Sequence, residues 1–159
     1  MPKLNNFLKF AVSITAPLLA GFVGSFFTFS SIENWYVYLN KPALNPPSWV
    51  FSPVWTVLYI LMGIGLFLVW KRGFDRKDIK IAMLVFGVQL VLNTLWSIIF
   101  FGARNPGLAF IEILLLWVSI LITTVLFFRI SKITAWLLVP YIVWVSFAAY
   151  LNYGIWILN

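Results

Sequence analysis

Five runs of nearly unbroken apolar residues, near 7–29, 53–70, 81–101, 106–128 and 135–158, govern what this chain can become. About 20 such residues in helical form cross the hydrocarbon core of a bilayer. Inside that core no water pairs with a peptide group, so a spanning segment is either a helix, which satisfies its own backbone, or part of a closed barrel. Barrel strands alternate apolar and polar residues, and these runs do not. The expectation is an all-α chain, an integral membrane bundle of five transmembrane helices, with residues 1–159 forming one domain. Composition agrees: 63% of the residues are hydrophobic and 9% are charged, against roughly a quarter charged in a domain that water must wet.

The first run is too long for the apolar core of a signal peptide, and its small residues Ala20 and Gly21 lie within it, so it reads as a retained helix. Pro17 is expected to kink it, and Ala16, Ala20 and Gly24 recur at a spacing that lets a neighbouring helix come close. The longest interruption is the loop 30–52. The stretch Trp35–Tyr59, WYVYLNKPALNPPSWVFSPVWTVLY, holds four of the chain's eight prolines. Proline fixes φ, removes a donor and drives the preceding residue out of the helical region. Lys41-Pro42 and Asn45-Pro46-Pro47 are therefore extended or turned, while Pro53 suits the first turn of the second helix. The remaining connections are shorter: the charged turn Lys71–Lys80, the tight Gly102–Pro106, and Arg129–Lys132. Pro140 falls about one turn inside the last run.

Five spans place the N-terminus and the second and fourth connections on one side. That side carries Lys3, Lys9, Lys71, Arg72, Arg76, Lys77, Lys80, Arg129 and Lys132, nine of the eleven basic residues, against Lys41 and Arg104 on the other. The positive-inside rule predicts a cytoplasmic N-terminus, with the aromatic loop and the C-terminus outside. The same distribution accounts for the net charge of +7 without nucleic acid, because the basic residues flank apolar runs instead of lining a polar face. There is neither cysteine nor histidine. Disulfides, thiolate chemistry, imidazole acid–base work and the usual zinc and haem-iron ligands are excluded with them, and no metal site is expected.

Helical rise of about 1.5 Å per residue puts several polar and aromatic side chains in one outer layer. Trp55 and Tyr59 lie on one face of the second helix, Gln89, Asn93 and Trp96 on one face of the third, and Tyr141, Trp144, Ala148 and Asn152 on one face of the fifth. Glu112 falls at the same level on the fourth. Together they describe a polar and aromatic pocket lidded by the first loop. Each residue also has a plainer role. Trp35, Trp49, Trp70, Trp136 and Trp156 suit the membrane interface, Trp117 suits a lipid-facing position, and Trp55, Trp96 and Trp144 serve equally as helix contacts or cavity walls. Asn93 and Asn152 fit interhelical hydrogen bonding. Glu112, an intramembrane carboxylate, is a functional candidate, a neutral acid, or a partner of Arg104. No pair of acid and base, phosphate loop or nucleic-acid motif accompanies them, so shape and stacking suited to a large planar amphipathic ligand are what these residues offer.

The stretch WYVYLNKPALNPPSWVFSPVWTVLY, with LNTLWSIIFFGARNPGLAF (Leu92–Phe110) and AWLLVPYIVWVSFAAYLNYGIW (Ala135–Trp156), resembles the translocator protein or tryptophan-rich sensory protein family, formerly the peripheral-type benzodiazepine receptors. The likeness covers nearly the whole chain in three ordered motifs. It implies a five-helix bundle, commonly a homodimer, that binds porphyrins such as protoporphyrin IX or haem and needs no obligatory cofactor; animal members also bind cholesterol and synthetic benzodiazepine-type ligands. Carried over by motif, Trp55, Asn93, Trp96, Trp144, Ala148 and Asn152 fall on pocket-lining positions, with Tyr59 and Tyr141 beside them and Trp35, Lys41, Pro42, Pro46 and Pro47 in the lid loop. The resemblance also implies two alternatives: light- and oxygen-dependent porphyrin breakdown with Trp55 and Trp144 as redox partners, or a scaffold for other membrane proteins. Two features depart from the family. The sterol motif is incomplete, because Leu151 and Tyr153 are followed by no Lys or Arg, and Ala82 and Gly87 of the third helix do not form a small-xxx-small pair.

Overall fold

The structure, a computed structural model, describes residues 4–159, so Lys3 of the basic side lies outside the described residues. Its helices are α1 (Asn6–Ile32), α2 (Phe51–Trp70), α3 (Lys77–Ser97), α4 (Pro106–Ile130), the short α5 (Lys132–Trp136) and α6 (Val139–Leu158). With the turns that extend them they make five segments long and apolar enough to cross a membrane. The described residues contain no strand. α1 packs against α2 and α3, α3 against α4, and α4 against α6, while α5 fills the end of the gap between α2 and α4.

The core is mainly apolar, but unlike that of a water-soluble bundle the outer surface is apolar too. Phe26, Leu84, Val91, Ile111 and Leu115 point outward, each more than half exposed, whereas Ser13, Gln89, Asn93, Glu112, Thr123 and Asn152 are buried. Apolar side chains gain nothing by leaving a hydrocarbon medium, but polar ones need partners, which Gln89, Asn93, Thr123 and Asn152 find inside.

Helix ends follow their sequence signals, with three differences from the expected boundaries. Asn5 caps α1 by accepting from the Leu8 N–H at 2.8 Å, and Asn105 caps α4 by accepting from the Leu108 N–H at 3.0 Å ahead of Pro106. Pro17 lies within α1, which runs on to Ile32. α3 starts at Lys77, so the last four residues of the expected charged turn are helical; Arg76 and Asp78 pair at 2.6 Å across its start. α3 ends in a wider π turn, Ile98–Gly102, closed by Ala103 N–H donating to the Ile98 carbonyl at 2.8 Å. The expected last span, 135–158, is two helices: α5 begins earlier, at Lys132, and the chain breaks at Leu137-Leu138, just before Pro140. Proline cannot donate to the preceding turn, so it serves in the first turn of α6 instead of inside a longer helix.

Close approach of α1 and α2 depends on Gly63. A Cβ there would sit 2.8 Å from both the Ile14 Cα and the Ser13 carbonyl oxygen, which are backbone atoms and cannot rotate away. Gly63→Val is expected to destabilise the bundle by about 1–3 kcal/mol, seen as a lower unfolding midpoint in detergent. Gly87→Ala, whose methyl would meet nothing within 4 Å, should leave that midpoint unchanged or slightly raised. Equal behaviour of the two variants would contradict this packing.

Candidate functional site

The facing sides of α2, α3 and α6 carry a single chain of hydrogen bonds. The Tyr59 hydroxyl donates to Asn93 Oδ1 at 2.6 Å, Asn93 Nδ2 donates to the Tyr141 hydroxyl at 3.0 Å, and Tyr141 donates to Gln89 Oε1 at 2.8 Å. Gln89 Nε2 completes it with a long contact to the Met62 sulfur at 3.7 Å. The chain thus passes from α2 to α3, to α6, back to α3 and back to α2. Its central members are almost wholly enclosed, Tyr141 at 0% and Asn93 at 3% exposure. Trp55 lies over it, stacked on Tyr59 with centroids 5.5 Å apart and edge-on to Tyr141 at 6.2 Å.

A second polar group lies one turn further along α3. Trp96 Nε1 donates to Asn152 Oδ1 at 2.9 Å, and Asn152 Nδ2 donates to the Pro106 carbonyl at 2.7 Å, tying α3 and α6 to the start of α4. Ala148 is buried in the core beside Val145 and Tyr141. Trp144, on the adjoining face of α6, meets Phe51 edge-on at 6.0 Å, and its buried indole N–H has no acceptor in the protein. It lines an apolar groove of about 610 Å³ between α2 and α6, together with Val54, Val57, Leu58, Val143 and Phe147. The residues grouped by helical spacing therefore do meet, but as three adjoining parts: a tyrosine–amide chain, a tryptophan–asparagine clasp and a groove.

Glu112 is 5% exposed and neither carboxylate oxygen has a partner. The pairing with Arg104 that the sequence allowed does not form. Arg104 sits exposed in the connection after the π turn with φ of 51°, and Arg76–Asp78 is the ion pair among the described residues. Groups of acidic side chains that could hold a metal are absent from the described residues.

The loop is fastened over this region. Phe100 and Phe101, presented by the π turn, pack against Tyr36, and Trp35 meets Phe100 edge-on at 5.7 Å. Trp35, assigned above both to the interface and to the lid, is thus half-buried in a contact with α3's end. Lys41 Nζ donates to the Val37 and Leu39 carbonyls at 3.2 and 3.0 Å and lies 4.8 Å from the centre of the Tyr36 ring. Burial pushes the Tyr36 phenol above its ordinary value, opposed by its hydrogen bond to Asn45. Pro42 rests on Gly154 of α6, where a Cβ would come within 2.9 Å of the proline ring. Asn40 and Asn159 exchange main-chain and side-chain hydrogen bonds at 2.9 and 3.0 Å. Pro46 accepts at its carbonyl from Asn45 Nδ2 at 3.1 Å, and Pro47 opens the turn that leads into α2.

Sequence spacing put Gln89 on the same face as Asn93, yet its place in the tyrosine chain emerges only once α6 is docked. Met62, Phe51 and the π-turn pair Phe100 and Phe101 carried no polar or periodic signal that would have marked them. Of the other tryptophans expected at the interface, Trp49 and Trp136 are about 70% exposed, while Trp70 and Trp156 are partly covered.

Comparison with known proteins matches residues 13–157 to the TspO/MBR family. The chain is 44% identical to the tryptophan-rich protein TspO of Archaeoglobus fulgidus, over 97% of this chain and 99% of that protein. It is 45% identical to the translocator protein of Homo sapiens, over 89% and 84%, and 33% identical to the tryptophan-rich sensory protein of Cereibacter sphaeroides, over 96% and 90%.

The tyrosine–amide chain should behave as one unit. In a double-mutant cycle of Tyr59→Phe and Asn93→Leu, measured by unfolding in detergent, a coupling of about 0.5–2 kcal/mol is expected. Additive costs would show that the bond between them contributes nothing.

Proposed function

Because this chain belongs to the TspO/MBR family of membrane proteins, we propose that it binds porphyrins and related tetrapyrroles within the bundle and acts in their transport, scavenging or sensing. The observation that carries this reading is the convergence of Trp55, Tyr59 and Tyr141 on the Asn93 amide, with Trp144 alongside. A macrocycle offers two flat π faces and polar groups at its rim. Offset or edge-on aromatic rings suit the faces, and amides and phenols suit the rim. The names borne by the relatives, translocator protein and tryptophan-rich sensory protein, accord with a role in moving or reporting a ligand.

Binding has an energetic condition. A guest that reaches Asn93 displaces the hydrogen bonds of Tyr59 and Tyr141, and each displaced group must find a new partner or lose about 1–3 kcal/mol. Apolar planar molecules with acceptors at the rim meet that condition, and purely hydrocarbon guests do not. The absence of histidine and cysteine leaves no imidazole or thiolate to ligate a metal at the macrocycle's centre.

In nanodiscs, protoporphyrin IX should quench tryptophan fluorescence saturably, and Trp55→Phe should weaken its affinity about two- to tenfold, within the range of one aromatic contact. Haem should bind within a few-fold of the free base, with no spectrum of histidine or thiolate ligation. Lack of saturable binding by the unaltered protein would overturn the proposal.

A further inference from the structure

The wall of the bundle is complete except between α2 and α6. α1 closes against α2 and α3, α3 against α4, and α4 against α6, while α5 bridges α2 and α4 only at one end. Above α5, α2 and α6 diverge, and the groove of about 610 Å³ opens between them. A volume of this order holds a drug-sized molecule. Its floor, Val54, Leu58 and Trp144, also packs into the central core that contains Tyr141, so the groove and the tyrosine–amide chain are separated by a single layer of side chains. Trp55, one residue beyond Val54, supplies part of that layer through its edge-on contact with Tyr141. Other routes are obstructed: the loop covers the far end, bonded to α6 through Asn40 and Asn159 and seated on Gly154 through Pro42.

A further feature distinguishes this groove from an ordinary furrow in a lipid-facing surface. Trp144, which lines it, keeps a buried indole Nε1 that is a donor without an acceptor. Two other indoles between helices are satisfied, Trp96 by Asn152 at 2.9 Å and Trp117 by Ser146 at 2.8 Å. An unmet donor in an apolar setting costs about 1–3 kcal/mol, which an arriving acceptor would recover. Lipid acyl chains bring no acceptor to this position.

We propose that the α2/α6 groove is the doorway through which a planar tetrapyrrole passes sideways from the bilayer into the bundle, its rim carboxylate or carbonyl accepting from Trp144 Nε1 on the way. This rests on the proposal that the protein binds such molecules, and it adds the route and the first polar contact. The molecule slides in from hydrocarbon with its apolar macrocycle against Val57 and Val143, and the loop stays fastened throughout. No desolvation of the macrocycle by way of the aqueous side is then required.

The test is the rate of protoporphyrin IX association in nanodiscs, followed by porphyrin absorbance after rapid mixing with porphyrin-loaded vesicles. Val57 and Val143 are 55% and 62% exposed on the groove's lips, so Val57→Trp and Val143→Trp fill the opening without disturbing the core. Each is expected to slow association at least about tenfold, as an obstructed route does. Val91→Trp on α3 and Val118→Trp on α4, equally lipid-facing and away from the groove, should associate at the unaltered rate. Thermal midpoints within a few degrees of the parent establish that each variant is folded, and two groove variants guard against the loss of one. Unchanged association in both groove variants, with the parent binding normally, would overturn the doorway and leave the binding proposal standing. Absence of binding by the parent would overturn both.

Discussion

In hydrocarbon, a polar group has no partner except the protein itself, and the rest of this structure follows from that. The constraint makes helices of all five apolar segments and sends Gln89, Asn93, Glu112 and Asn152 to the inside while phenylalanine, leucine and valine turn outward. It also explains why the interior is built of linked bonds instead of isolated ones. The Tyr59, Asn93, Tyr141 and Gln89 side chains each have both a donor and an acceptor role available, so a few residues can satisfy one another around three helices. Outside this linkage, at Ser13, at Glu112 and at the Trp144 indole, buried polar atoms are left over. In a native membrane protein such remainders point to function.

The same interior gives the fold its mechanical arrangement. Small residues draw α1 onto α2, as at Gly63, and the tyrosine–amide chain ties α2 to α3 and α6. α2 and α6 are joined through this chain, through the Phe51–Trp144 and Trp55–Tyr141 ring contacts and through α5 at one end. Aromatic packing of Tyr36 on Phe100 and Phe101, the Lys41 cap and the Asn40–Asn159 exchange hold the loop as a fixed cover.

Much of this was legible in the sequence because the two strongest signals, apolar length and proline position, act locally. The number of spans, the helix start at Pro106 and, to within two residues, the one expected at Pro53 follow from them. Helical spacing also gathered Trp55, Tyr59, Asn93, Trp96, Tyr141, Ala148 and Asn152, since residues three or four apart must share a face. What escaped depends on tertiary geometry. The π turn at Ile98–Gly102 is a change of one hydrogen-bond register within an unremarkable apolar run, the break at Leu137-Leu138 was hidden by the continuity of that run, and nothing local shows that Trp144 faces a groove while Tyr141 faces the centre. Pairing of Glu112 with Arg104 seemed open by proximity in sequence, yet the left-handed turn at Arg104 carries its side chain outward.

The central claim is that the ligand acts on the tyrosine–amide chain itself, and the Asn93 side-chain amide is its most direct reporter. Asparagine labelled with nitrogen-15 places this amide, and that of Asn152, in a sparse NMR spectrum of the protein in nanodiscs, with Asn93→Asp giving the assignment. The account predicts that the Asn93 resonance moves saturably as protoporphyrin IX is added, in step with porphyrin absorbance, while the surface amides of Asn5 and Asn34 stay in place. Saturable binding with an unmoved Asn93 resonance would contradict it.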